Sequence, residues 1–230
     1  MLFDKIQNKR SKFVIKSFSI SFFARLMGLA FIVLITPMLI NYLGKEDYGL
    51  WSILISFSSF LAFSDFGLGA GLLNFILLNK NDKVKTQLGV FSTFYFLLTT
   101  SLLLILLLIS LSYLINWNDF FNTDYNKTNN LIRSVIFLFL FNIPFSIIQK
   151  IQFGFLENYI FHTWEAIQKI FLIVFISTGI YFELDLINIC VGYYLIFILI
   201  NLLNLIYYEV TNKHLKFIKI FNIKPQINKE

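Results

Sequence analysis

Apolar residues occur along this chain in long unbroken blocks, separated by short clusters of charge, and not in the two-residue alternation of half-buried strands. Six blocks are each long enough to span roughly 30 Å of hydrocarbon as a helix. They cover residues 17–41, 48–78, 88–115, 131–151, 163–182 and 186–208. The alternating segments of about ten residues that mark a membrane barrel are absent. A helix satisfies its own backbone polar groups in lipid, so a helical bundle is the expected solution. The second block is long and ends in Gly67, Gly69 and Gly71, which predicts a bend or break near that end.

Composition strengthens this picture. Hydrophobic residues make up 57% of the 230 residues, 29 of them Phe, and only 14% are charged. A water-soluble domain of that size could not bury so much apolar surface. The expected fold class is therefore all-α: a polytopic integral membrane helical bundle with about six transmembrane helices. Residues 1–210 form the bundle and residues 211–230 a basic tail. The first block is long and is not followed by a small-residue cleavage site, so it reads as a span and not as a cleaved signal.

The net charge of +6 is read as topology and not as a nucleic-acid footprint. Lys5, Lys9, Arg10, Lys12 and Lys16 precede the first block, Lys80, Lys83 and Lys85 separate the second from the third, and further lysines follow the sixth. The loops of opposite parity carry Glu46, Asp47, Asp119, Asp124, Glu183 and Asp185, with Lys45, Lys127 and Arg133 as their cations. Excess positive charge on one side predicts that both termini are cytoplasmic. The tail 211–230, which alternates lysines with apolar residues, is either solvated or laid on the anionic inner leaflet.

Charges inside the blocks are the candidate chemistry. Arg25 lies about 12 Å into the first block. An Arg at such depth costs at least ~2.5 kcal/mol and should face protein or water. Helical spacing groups Ser17, Ser21, Arg25, Gly28, Ile32 and Thr36 within about a 100° arc. Three roles stay open for Arg25: lining a cavity, snorkelling to the headgroups, or pairing with Asp65. Asp65, about 25 Å into the second block, is either a coupling carboxylate or the cap of a broken helix. Lys169, with Glu165 and Gln168 beside it, is a second cation of the same half or a snorkelling side chain. Gln149 and Gln152 either meet the hydroxyls of a ligand or bond between helices, while Lys150 and Glu157 read as solvated. Pro37 and Pro144 fall inside blocks and, with Gly67 and Gly71, are the hinge candidates. Trp51, Tyr113 and Trp117, and at the other boundary His162 and Trp164, read as interfacial anchors.

Other chemistry is not supported. Cys190 is the sole cysteine and the two histidines are far apart, so no disulfide and no metal cluster is expected. No catalytic constellation and no phosphate-binding glycine loop is present, and no cofactor is expected.

One stretch is more specific. Leu43-Gly44 followed by acidic residues, then Tyr48-Gly49-Leu50-Trp51, then Asp65-Phe66-Gly67-Leu68, together with Ala24-Arg25, Gly28 and Thr36-Pro37 upstream, resembles the first helical hairpin of bacterial polysaccharide (O-antigen type) flippases. These belong to the multidrug/oligosaccharidyl-lipid/polysaccharide exporter superfamily. The similarity covers about residues 15–80. It implies a non-enzymatic transporter that moves an undecaprenyl-diphosphate-linked oligosaccharide across the bacterial cytoplasmic membrane by alternating access, with no ATP hydrolysis. In that picture Arg25, Asp65 and Lys169 line the substrate cavity, and Arg25 meets the diphosphate. Family members typically have two lobes of about six spans each, so the chain resembles the N-terminal lobe. A second copy or a separate C-terminal lobe would complete it, and membrane lipids are the other expected partners. Two alternatives remain: a drug or cation exporter of the same superfamily, which needs acids deep in the helices, and a membrane-embedded polysaccharide polymerase or ligase, which needs a long outer loop rich in Arg, His or carboxylates.

Overall fold

The computed structural model describes residues 2–60, 67–121 and 127–211, with side chains described from 15 onward except 16 and 57–60. Among the described residues every regular element is a helix: α1 (Leu2–Phe60), α2 (Leu68–Asn79), α3 (Lys83–Ser112), α4 (Trp117–Phe121), α5 (Thr128–Asn142), a 3-10 turn (Pro144–Ser146), α6 (Ile147–Gly154), α7 (Asn158–Tyr181) and α8 (Leu186–Thr211). Five stretches are long and apolar enough to cross a membrane, and Leu68–Asn79 is a shorter apolar helix. The molecule is thus an all-α, multi-pass membrane bundle of roughly six passes.

Helical dihedrals in α1 fail at one residue, Gly44, with φ 82° and ψ 171°. That combination is open essentially to glycine alone. The chain doubles back there. Phe31, before the break, sits under the Lys169 ammonium together with Phe197 of α8. Leu54, after the break, accepts a hydrogen bond at 2.6 Å from Tyr194, less than one turn away on α8. In a straight helix Phe31 and Leu54 would be about 34 Å apart. The hairpin tip rests on the α7–α8 turn, where Tyr42 Oη donates to the Leu184 carbonyl at 3.0 Å. Lys127 pairs with Asp185 in the same region and places the start of α5 at that end of the bundle. We call this end, with Glu46, Asp47, Glu183 and Asp185, the acidic end. The opposite end, with the α2–α3 turn and Lys80, Lys83, Lys85 and Lys150, is the basic end.

The interior falls into two clusters. Ile35, Leu39, Leu50, Trp51 and Leu54 of α1 pack with Leu172 and Ile176 of α7 and Ile189, Tyr193 and Tyr194 of α8. Towards the basic end, Leu72 and Ile76 of α2 pack with Val90 and Leu97 of α3, with Ile143 to Ile151 around the 3-10 turn, and with Tyr208 of α8. Lipid is as apolar as leucine, so these contacts hold by close packing and not by exclusion of water. Large side chains on α1 and α3, such as Phe18, Val33, Leu103 and Leu106, point outward.

The second block (48–78) breaks near its glycines, as expected, with Gly67 at φ 78° preceding α2. Other expectations need correction. The fourth (131–151) is broken at Pro144, whose missing N–H ends α5 in a 3-10 turn. Helix α4 was not anticipated. Trp51 is not an interfacial anchor: it is 5% exposed and meets Tyr193 edge-on at 5.3 Å. Residues 212–230, nearly all of the basic tail, lie outside the described residues.

Candidate functional site

Lys169 is held at the meeting of three helices. It projects from α7, with its ammonium 5.4 Å from the ring centre of Phe31 on α1 and 5.7 Å from that of Phe197 on α8. The side chain is half-buried, and among the described residues it has no ion-pair partner. The carboxylate one turn before it, Glu165, accepts instead from His162 Nδ1 at 2.9 Å. Two ring faces attract a cation, by about 0.5–2 kcal/mol each depending on solvation, and the nearby Glu165 carboxylate favours its charge at longer range without closing an ion pair. A cation so placed is suited to an anionic group that arrives and departs.

Arg25 is exposed, beside the buried Ala24. The packed face of α1 runs through Ala24, Phe31, Ile35 and Leu39. The stripe of Ser17, Ser21, Arg25, Gly28, Ile32 and Thr36 therefore flanks that face. Ile32 is 58% exposed, and the Ser21 hydroxyl is bonded to the Ser17 carbonyl at 2.8 Å. Phe31 marks the level of Lys169 on α1, so Arg25, six residues earlier, lies about 9 Å closer to the basic end. Lys169 thus lies near the middle of the bundle and Arg25 nearer its basic end. Asp65 lies outside the described residues, so its place relative to either cation is not described.

Of the hinge candidates, Pro37 is carried within α1 without a dihedral break, and Pro144 stands at the α5 break. Gly67 holds a left-handed conformation at the start of α2, and Gly71 donates to its carbonyl at 3.0 Å. Among the described residues a Cβ at either glycine would meet nothing within 4 Å, so no close helix packing at this pair is described.

The most extensive buried polar structure was missed from sequence. One face of α8 carries Tyr194, Asn201, Asn204 and Tyr208. Tyr194 binds the Leu54 carbonyl, and Asn201 Nδ2 donates to Asn142 Oδ1 at 3.0 Å. Asn204 and Gln152 exchange amide hydrogen bonds at 2.6 and 3.4 Å, and Tyr208 donates to Glu157 at 2.5 Å. Gln152 is 0% exposed, so it bonds between helices, and Glu157 is not simply solvated. The four α8 positions fall within about an 80° arc of the helix. That regular spacing of polar residues in an otherwise apolar segment was the available signal.

At the acidic end, Arg133 stacks 3.9 Å from the Tyr113 ring centre and reaches the Ser112 carbonyl at 3.5 Å, while Trp117 Nε1 donates to the same carbonyl at 3.2 Å. These groups close the C-terminus of α3, where free carbonyls attract cations. Tyr113 and Trp117 thereby serve the helix end. Trp164 meets Tyr207 edge-on at 5.8 Å, and among the described residues no cluster of His, Cys, Asp and Glu is arranged to hold a metal ion. No family model, curated protein or solved structure matches the chain.

Proposed function

We propose that this chain is a lobe of a flippase that moves a lipid-linked oligosaccharide, of the undecaprenyl-diphosphate type, across the cytoplasmic membrane of a bacterium for surface polysaccharide synthesis. The observation that carries the proposal is Lys169: a half-buried ammonium between three helices of an apolar bundle, with no carboxylate within 4 Å among the described residues and Glu165 acting on it only at longer range. Unpaired charge inside a membrane bundle belongs by default to a substrate or ion path.

The chemistry fits a diphosphate carried on a lipid. Sugars cannot enter hydrocarbon unaided, so their passage needs a protein-lined polar route, while the polyprenyl tail can stay in the bilayer. Arg25 lies on the basic-end side of Lys169, and a guanidinium grips phosphate oxygens in pairs while an ammonium acts as a point charge. In this reading the basic end faces the cytoplasm, with both termini, as the lysine distribution favours. The exposed stripe around Arg25 then faces a second lobe, supplied by another chain or by another copy, and the route runs between the two.

The test is expression in a strain lacking its own polysaccharide flippase, alone and together with the C-terminal lobe of such a transporter. Surface polysaccharide should return in at least one of these strains, and Lys169→Gln should abolish the return. Stable membrane insertion with no rescue in either strain overturns the proposal.

A further inference from the structure

Helices α2 and α3 form a hairpin across a tight turn in which Asp82 N–H donates to the Asn79 carbonyl at 2.8 Å. Between them an outward-facing groove of about 650 Å3 runs along the basic half of the bundle. This is within the roughly 300–1,000 Å3 of ordinary ligand sites. Its walls are Leu68, Leu72 and Phe75 on α2 and Leu88, Phe91 and Thr93 on α3. Two glycines create the space. A Cβ on Gly71 would meet nothing within 4 Å, so the groove is open above it. A Cβ on Gly89 would strike the Phe75 ring at 2.4 Å, so its absence lets that ring lie against α3 as the floor.

The groove has one charged wall residue, Lys85, at its basic end. Its ammonium is 3.6 Å from Asp82, with both side chains well exposed, a contact worth little in water and easily exchanged. The Asp82 carboxylate is also engaged in capping α3 through the Lys85 N–H at 3.1 Å. Lys80 and Lys83 stand exposed in the same turn region, so three lysines face one acid. Deeper in, the hydroxyls of Ser92 and Thr93 are bonded to the Gly89 carbonyl at 3.1 and 2.8 Å. Bonded to their own helix, they leave the interior of the groove chiefly apolar.

We propose that this groove seats one acyl chain of an anionic glycerophospholipid, with the lipid phosphate on Lys85. The match is one of charge and polarity: apolar walls for about 12 Å along α3, then a cation at the end nearest the headgroups. A carbohydrate headgroup would find little hydrogen bonding in the groove. An acyl chain gains nothing hydrophobic on moving from bilayer to groove, so selection comes from the head. A lysine near the membrane surface favours an anionic lipid about fivefold. The proposal does not rest on the transport function.

The experiment uses the full chain reconstituted in vesicles with phosphatidylglycerol or phosphatidylcholine carrying a photoreactive acyl chain, with the labelled peptides mapped by mass spectrometry. Segment 68–93 should be labelled by phosphatidylglycerol about fivefold more than by phosphatidylcholine, and Lys85→Gln should lower that preference by about fivefold. Gly71→Leu, which fits the open space, should suppress labelling of the segment and leave the outward face of α3 at Leu103 and Leu106 labelled as before. Equal labelling by the two lipids, or a groove signal that survives Gly71→Leu, overturns the proposal. Lys85→Gln is a surface change and gives the headgroup result even if Gly71→Leu fails to fold.

Discussion

Replacing Asn204 by Leu removes one half of the reciprocal amide pair with Gln152. Both residues are buried, at 2% and 0% exposure, and the two hydrogen bonds measure 2.6 and 3.4 Å. The single change leaves the Gln152 amide without that partner in a dry interior, at a cost of about 1–3 kcal/mol. Gln152→Leu costs a similar amount by stranding Asn204. The double variant strands neither and should recover most of the loss. Interhelical polar pairs in membrane proteins couple by about 0.6 kcal/mol on average and up to about 1.7, because the unfolded chain in lipid also finds partners. The closed two-bond geometry places this pair near the upper figure. Reversible unfolding of the four proteins in mixed micelles, combined as a double-mutant cycle, measures the coupling. Additive single effects, with coupling under about 0.3 kcal/mol, would refute the claim that this pair clamps α6 to α8.

Gly44→Ala should destabilise the bundle by about 1–3 kcal/mol, since φ 82° with ψ 171° excludes a Cβ; unchanged unfolding would show that the hairpin does not need this backbone. Tyr194→Phe should cost about 0.5–1.5 kcal/mol through loss of the bond to the Leu54 carbonyl, read in the same assay. Lys169→Gln should abolish any sugar-export phenotype while costing no more stability than its two ring contacts supply, about 0.5–2 kcal/mol each; a larger stability loss would make it structural. Asn142→Leu with Asn201→Leu should be neutral or stabilising, because the pair leaves Asn142 Nδ2 buried and unbonded; a loss above about 1 kcal/mol would contradict that.

The helical passes were legible because block length and composition admit few other structures in lipid, and the Gly44 turn was legible because charge and glycine interrupt the apolar run there. The break at Pro144 was visible as a candidate, since Pro lacks the N–H that would continue α5. The position of Trp51 was not, because an aromatic residue near a span end is equally at home in the interface or against a tyrosine of a neighbouring helix. Lys169 could be singled out as a charge in an apolar block, but its two ring contacts join residues 138 and 28 positions away and leave no trace in local periodicity. The α8 seam was written in local spacing and was overlooked because the segment was weighed for its apolarity.

The two interior clusters give the α5 break a mechanical meaning. The cluster nearer the acidic end joins α1, α5, α7 and α8 and takes in Phe145 of the 3-10 turn, and the other joins α2, α3, the last turn of α5, α6 and the far end of α8. Ile136, Phe139 and Phe141 of α5 pack against both, just before the chain leaves helical geometry at Pro144. Asn142 sits at that level with a buried amide nitrogen that has no acceptor among the described residues. The backbone ladder is interrupted there and a donor is unsatisfied, so bending costs least at this point. Lys169 belongs with the acidic-end cluster through Phe31 and Phe197, and the lipid groove with the other. A bend at Pro144 would therefore have to repack Ile136, Phe139 and Phe141 between the two clusters, and the hydrogen bonds of the α8 seam, spanning both, would limit the motion.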